Sequence, residues 1–338
     1  LDLDLDGRPE ILLANAGEIV AVKPDSGGGI GRWDVRAARF ALAAVLRRRP
    51  EAYHEKVRAL DAREAAATAA ANSGGATAPS DGRTDEAIAS IHDLVSSKQA
   101  SLSDHLRYDR DERRSGLVRF LAVGTSADDA ALGVDDLGDL AAGEWRVVRR
   151  GADQVLLERD GHVRVGDVDH PVTATKRITI GGGRLDPTLR AEVAVTNRAG
   201  TALEARLAVE WSTILLGGGG NPAAWQELAG KRVAHDARLA AAGASRIAAG
   251  NDHLGIRVDT IVEPAADVWI APIETVSNSE AGFELVYQGS TALIGRLVAL
   301  EPGATAMISI EQRISVAVDR LAEEAVAGVP PVEERAVR

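Results

Sequence analysis

The segment Thr173-Ala174-Thr175-Lys176-Arg177-Ile178-Thr179-Ile180 is closed by Gly181-Gly182-Gly183. It is followed by Arg190-Ala191-Glu192-Val193-Ala194-Val195-Thr196-Asn197. Both segments are rich in β-branched residues and a glycine run separates them, so they read as two strands joined by a turn. Working outward, Asn197-Arg198-Ala199-Gly200 and Glu301-Pro302-Gly303 are further turns. Strands are predicted at Glu144 to Val148, Val155 to Glu158, Ala205 to Trp211, Leu254 to Ile261 and Val268 to Ile270. Three more follow at Gly282 to Gln288, Ala292 to Leu300 and Thr305 to Ser315. Near the N-terminus, Leu1, Leu3 and Leu5 alternate with Asp2, Asp4 and Asp6 in the manner of a strand, with Gly7 as its turn. Ile11 to Leu13 and Glu18 to Val22 read as short strands ahead of Pro24-Asp25-Ser26-Gly27-Gly28-Gly29. Many strands, frequent turns and few helical periods predict an all-β fold, a large antiparallel β-sandwich with minor helices.

Some stretches depart from this pattern. Phe40 to Arg48 suits a helix or a strand entering a loop, and a short helix or loop is expected around Ile91-His92-Asp93-Leu94-Val95. Residues 61–86 are rich in Ala, Gly, Ser and Thr and read as an insertion with little to bury, helical in its Ala-rich first half. One sandwich domain is expected over 1–330, with 331–338 as a frayed tail.

The chain has 338 residues, 39 basic and 50 acidic, for a net charge of -11. That balance disfavours nucleic acid and anionic membrane surfaces as partners. No run of 18 apolar residues is present, so no membrane-spanning helix is expected. The absence of cysteine excludes disulfides and thiolate chemistry and fits a cytoplasmic protein. A chain opening at Leu1 within an acidic pattern reads as part of something longer.

Four local patterns occur in order. They are D-L-D-L-D-G-R-P-E-I-L-L-A-N from Asp2 to Asn15, and R-R-R-P-E-A-Y-H-E-K from Arg47 to Lys56. The third joins I-H-D-L-V-S-S-K to L-R-Y-D-R-D-E-R-R-S between Ile91 and Ser115. The last is P-I-E-T-V-S-N-S-E-A-G-F-E-L-V-Y-Q-G-S from Pro272 to Ser290. Together they resemble the C-terminal β-domain of the α-amylases and 4-α-glucanotransferases of glycoside hydrolase family 57. The resemblance implies a mutarotase-like sandwich that supports an N-terminal (β/α)-barrel and contacts α-1,4-glucan. It also implies that the catalytic Glu and Asp lie in that barrel, outside this chain, so no catalytic residue is expected here. A retaining mechanism needs two carboxyl groups about 5–5.5 Å apart. Packing against a barrel predicts an exposed apolar face. One departure stands out: where the family continues with an aromatic residue and an Asp-His pair, this chain has Gly116-Leu117-Val118-Arg119-Phe120.

Several residues are candidates in their own right. Asp2, Asp4, Asp6 and Glu10 around Gly7 follow the D-x-D-x-D-G spacing of calcium loops, in which carboxylates surround a hard cation. The alternative is the exposed acidic face of an edge strand. Glu280, Glu284, Tyr287 and Gln288 sit in the last motif, aimed at a barrel or a glucan, or else joined in a buried hydrogen-bond network. Trp211 and Trp225 flank Gly217-Gly218-Gly219-Gly220-Asn221-Pro222, where an indole could stack on a sugar or plug the end of the sandwich. His54 with Glu55, and His92 with Asp93, could serve acid–base chemistry, though isolated histidines are usually structural. Gly27 to Gly31 lacks the Lys-Ser/Thr of a phosphate loop. No cofactor is required, calcium being the one candidate. Two further readings are a stand-alone carbohydrate-binding module and a mutarotase-like epimerase.

Overall fold

The computed structural model describes residues 2–44, 46–72, 100–132, 136–279, 282–317 and 319. The expectations for 73–86, Ile91 to Val95 (with His92 and Asp93), Glu280 and the 331–338 tail lie outside the described residues. The chain forms two compact units: Leu1–Leu46, Asp111–Pro272 and Gly289–Arg338 make the first, Arg47–Arg110 and Ile273–Gln288 the second.

In the first unit, β1 (Ile11–Ala14), β2 (Glu18–Lys23), β3 (Gly29–Val35) and β4 (Phe40–Ala41) form a four-stranded antiparallel meander. The second sheet takes in β5 (Leu117–Leu121), β6 (Arg146–Arg150), β7 (Gln154–Val165), β8 (Val168–Gly182), β9 (Pro187–Asn197) and β10 (Leu203–Thr213). It continues with β11 (Ala224–Leu228), β12 (Lys231–Ala234), β13 (Leu239–Asn251), β14 (Ile256–Ser279), β15 (Gly282–Leu300) and β16 (Thr305–Val316). Its main order is β12-β11-β13-β14-β16-β9-β8-β7-β6, and β15, β10 and β5 extend from β14. The all-β antiparallel sandwich expected from the turns and strands is the fold observed.

β7, β8, β9 and β16 follow the period-2 rule. Along β9 the buried residues Leu189, Ala191, Val193 and Val195 alternate with half-buried ones. They join a single core cluster with Leu13, Val20 and Trp33 of the small sheet. Each such Leu or Val contributes roughly 1.5–3 kcal/mol through burial. β10 is buried on both faces. Leu203, Ala205, Leu207, Val209 and Trp211 enter that core, and Arg206, Ala208, Glu210 and Ser212 are buried on the opposite side.

Other elements escape sequence reading. β13 is Ala- and Gly-rich, with little intrinsic β preference, and becomes a strand because β11 and β14 pair with it on either side. β14 runs unbroken through Pro264, where an interruption was expected. Its register with β16 ends at Glu263, so the missing N–H removes no ladder bond there.

The alternation at Leu1 to Asp6 does not make a strand over its described residues, 2–6. Leu5 is 85% exposed with φ +61°, and the Asp side chains take the backbone N–H groups a ladder would need. Asp2 accepts from the N–H of Asp6 and Gly7, and Asp6 from that of Arg8. Large exposed apolar side chains among the described residues include Leu3 and Leu5 of this loop, Val147 and Val148 of β6, Val168 of β8, Leu297 of β15 and Met307 of β16.

Two buried ionisable groups hold the small sheet to the large one. Lys176 of β8 donates to the Gly27 and Gly28 carbonyls at 2.8 and 3.1 Å and lies 4.6 Å from the Trp145 ring centroid. Gly28 must be glycine: at φ +56° a Cβ would meet Leu157 Cδ1 at 2.8 Å. Glu18 of β2 accepts the Trp33 indole N–H at 2.9 Å within the small sheet, and a backbone hydrogen bond from Gly181 ties it to β8. Burial pushes Glu18 up to about 7, against the opposing Trp33 and Gly181 hydrogen bonds, and burial pulls Lys176 down to about 7.

Between pH 4.5 and about 7 the folded chain holds a Glu18 proton that the unfolded chain has released, so this contribution to stability falls as pH rises. Between about 7 and 10.5 the unfolded chain holds a Lys176 proton that the folded chain lacks, so that contribution rises. Together they produce a stability dip near neutrality. Thermal melts across pH should show Glu18→Gln flattening the acidic limb, by about 3 kcal/mol overall, and Lys176→Met the alkaline limb. Unchanged limbs in both variants would contradict this assignment.

In the second unit, α1 (His54–Asn72) confirms helix in the first half of the Ala-rich stretch as far as Asn72. A 3-10 turn spans Leu102–His105, and the ends of β14 and β15 complete the unit. Val57, Leu102, Leu106, Val276 and Phe283 form its core, with Tyr53 stacked on Phe283 at 6.0 Å. The Ser103 N–H donates to Asp61 of α1 at 2.6 Å, tying the turn to the helix.

Candidate functional site

The predicted acidic residues do converge. Asp2, Asp4, Asp6 and Glu10 each offer a carboxylate oxygen within 4.8 Å of the others. A lysine that the sequence reading passed over meets them there. Lys23 Nζ donates to Asp4 and, at 2.6 Å, to Asp6, and lies 3.4 Å from Glu10. Lys23 and Glu10 are buried, and Asp4 and Asp6 are half-exposed. Burial alone would lower the Lys23 pKa, but the hydrogen bonds it donates to Asp4 and Asp6 outweigh that and hold the ammonium above the ordinary lysine range. Nothing beside Lys23 marks this role, because a lysine closing a strand usually faces solvent.

Parts of three motifs meet in the second unit. Arg48 forms a two-pronged pair with Asp109, Nε to Oδ2 at 2.9 Å and Nη2 to Oδ1 at 2.8 Å, and both side chains are buried. The Tyr53 hydroxyl donates to the Val276 carbonyl at 2.9 Å. Arg58 donates to the Tyr108 hydroxyl at 2.8 Å, which leaves the phenol proton for His54 Nδ1 at 3.1 Å. The Glu51 N–H also donates to Nδ1, at 3.1 Å. Nδ1 is thus an acceptor and the neutral ring carries its proton on Nε2. Burial lowers the His54 pKa, Glu51 opposes that and Arg58 reinforces it. A neutral His54 fixing Glu51 and Tyr108 is a structural arrangement.

Around these groups lies a cavity of about 200 Å³ lined by Arg47, Arg49, Arg107, Glu51, Glu274 and Ser277, among others. Gln288 donates across the β14–β15 hairpin to Thr275 Oγ1 at 3.1 Å. Glu284 and Tyr287 are half-buried in the same hairpin and make contacts of their own. The arginines of this cavity were not singled out from sequence. They stand in motifs that carry the family resemblance, and only the long-range approach of 47–49, 107 and 274–277 brings them together.

Trp211 and Trp225 belong to the first unit. Trp211 is 3% exposed and meets Trp33 edge-on at 6.1 Å, which makes it a core side chain and not an open platform. Trp225 is also buried, at 6% exposed, with the Arg232 and Arg257 guanidinium groups 3.7 and 5.4 Å from its ring centroid, and its Nε1 donates to Asp252 at 2.8 Å. A sugar could stack on it only by displacing Arg232, whose side chain is half-exposed.

The opposite face of β10 carries a charge network. Glu210 pairs with Arg113 at 3.1 Å and with Arg119, which also reaches Asp136 at 3.2 Å and Asp111 at 3.7 Å. Asp136 accepts the N–H of Phe120 and Gly138, both at 2.9 Å. This network lies next to the departure from the family pattern at Gly116 to Phe120. Among the described residues, no helix is long and apolar enough to cross a membrane.

Residues 2–307 match the family described as "Alpha-amylase/4-alpha-glucanotransferase, C-terminal". A 4-alpha-glucanotransferase of Thermococcus kodakarensis is 29% identical over 294 residues, covering 85% of this chain and 37% of that protein. The crystal structure of 4-alpha-glucanotransferase from Thermococcus litoralis superposes with a TM-score of 0.64 at 20% identity, over 93% of this chain and 38% of that one. A galactose mutarotase-like protein from Lactobacillus casei superposes at TM-score 0.50 and 10% identity, over 90% of this chain and 100% of its own. These two superpositions speak for the fold, a mutarotase-like sandwich. The chain spans well under half the length of the glucanotransferases it matches. With the match running from the acidic loop into β16, the chain belongs to the C-terminal domain family of α-amylases and 4-α-glucanotransferases.

Proposed function

We propose that this chain is the non-catalytic β-domain of an enzyme acting on α-1,4-glucans, working beside a (β/α)-barrel that carries the chemistry, in the manner of glycoside hydrolase family 57 and in the cytoplasm. The observation that carries this reading is the match to the C-terminal family over residues 2–307 of a chain that spans only 37% of its glucanotransferase relative, and the state of the grouped carboxylates agrees with it. Asp4, Asp6 and Glu10 close on Lys23, Asp109 on Arg48, and Glu210 and Asp136 on Arg119. A retaining glycosidase needs one carboxylate free to attack and one carboxyl carrying a proton. Carboxylates each held by a buried cation serve neither role.

Glucan contact is assigned to Trp225, the indole whose cover is a half-exposed arginine. Titration calorimetry with maltoheptaose should show weak binding that Trp225→Ala abolishes while Trp211→Phe keeps it. Binding unchanged in Trp225→Ala would overturn this placement. Calcium at Asp2, Asp4, Asp6 and Glu10 is proposed on the convergence of four hard oxygen donors, with the cation competing against the Lys23 ammonium.

A further inference from the structure

Four arginines line the cavity of the second unit, and they are not equivalent. Arg48 is held by Asp109. Arg47 gives only Nε to the Asp109 carbonyl at 3.2 Å, and Arg107 only Nη1 to the Leu106 carbonyl at 3.2 Å. Among the described residues no carboxylate pairs with Arg47, Arg49 or Arg107. Three guanidinium groups set against the two carboxylates Glu51 and Glu274 in the same lining leave a net positive charge that favours an anion in the cavity. Their planar N–H forks match the oxygens of a phosphate. The 19-residue helix α1 begins at His54, which also lines the cavity, and adds the partial positive charge of its N-terminus.

The net charge of -11 gives the whole molecule no general attraction for anions, so this recognition is local. The remaining lining is of another kind. Glu51 and Glu274 contribute carboxylates, Glu274 with a contact of its own, and Thr275 and Ser277 contribute hydroxyls. Such groups suit the hydroxyls of a sugar, and a surface that merely collected anions would not need them. At about 200 Å³ the cavity lies below the usual range of roughly 300–1,000 Å³ for larger ligands, which limits the occupant to a small molecule.

We propose that this cavity binds a hexose monophosphate, its phosphate held by Arg47, Arg49 and Arg107 and its hydroxyls by Glu51, Glu274, Thr275 and Ser277. The test is titration calorimetry of the full chain with glucose 1-phosphate, glucose 6-phosphate, inorganic phosphate and glucose in phosphate-free buffer. One ester should saturate a single site, with glucose and inorganic phosphate binding roughly tenfold more weakly or less. Arg49→Ala and Arg107→Ala should each weaken the ester by about tenfold or more, with unchanged thermal melts. Arg49→Lys should recover only part of that loss, because an ammonium cannot bind bidentately. Arg146→Ala, on exposed β6, should leave binding intact. No saturable heat from either ester at millimolar concentration would overturn the proposal. So would undiminished binding in both alanine variants, and inorganic phosphate binding as tightly as the ester would remove the sugar.

Discussion

Arg119→Met is expected to destabilise the first unit by about 3–5 kcal/mol, the usual result of removing one partner from a buried ion network. Arg119 sits between Glu210 and Asp136, whose side chains are 2% and 3% exposed, with Asp111 at 3.7 Å. Burial disfavours its charge, and the Coulombic attraction of Glu210 and then Asp136 overcomes that and keeps the guanidinium above its ordinary pKa. Without it, Asp136 and Glu210 both lose the guanidinium they share, while Arg113 and the long Ser212 and Thr291 hydroxyl contacts at 3.3 and 3.5 Å remain at Glu210. Methionine fills much the same space, so the loss reports charge and not a cavity. Urea melts should show the drop at pH 7. Glu210→Gln combined with Arg119→Met should cost less than the sum of the two single changes. A loss below about 1 kcal/mol, or simple additivity, would show that the network is not what holds β5 to β10.

Lys23→Met carries the second large effect. It leaves Asp4, Asp6 and buried Glu10 facing one another without their shared ammonium, at a cost of about 2–3 kcal/mol, moderated by the exposure of the two aspartates. The loop should then accept a divalent cation more readily than the parent chain does. Millimolar CaCl2 should raise the Tm of Lys23→Met by several degrees, and that of the parent by less, because the ammonium competes for the same oxygens. If calcium leaves both melting curves where they were, the loop is an ion-pair device alone.

Much of the fold could be read before any coordinates, because β7, β8, β9 and β16 combine β-branched residues with alternation and glycine-marked turns. β13 could not, because alanines and glycines take the conformation their neighbours impose. The acidic loop shows both sides. The identities of Asp2, Asp4, Asp6 and Glu10 announced a cation, and local propensity announced a strand. In the folded chain the cation is a lysine from the end of β2, and the aspartates replace the ladder with their own hydrogen bonds. Trp211 and Trp225 lie beside a glycine loop in sequence, and only packing decides that one indole faces Trp33 and the other two arginines. The basic cavity was least legible, since its wall joins segments more than 160 residues apart, as the contact of Arg48 with the Glu274 carbonyl records (separation 226).

The most direct test is an activity assay of this chain alone on maltoheptaose, with products resolved by chromatography for both hydrolysis and glucosyl transfer. The account predicts no new oligosaccharide and no glucose above the buffer control, even at micromolar protein and long incubation. Shortened or lengthened maltooligosaccharides formed in proportion to protein concentration would contradict it, because catalysis would then reside in this β-domain.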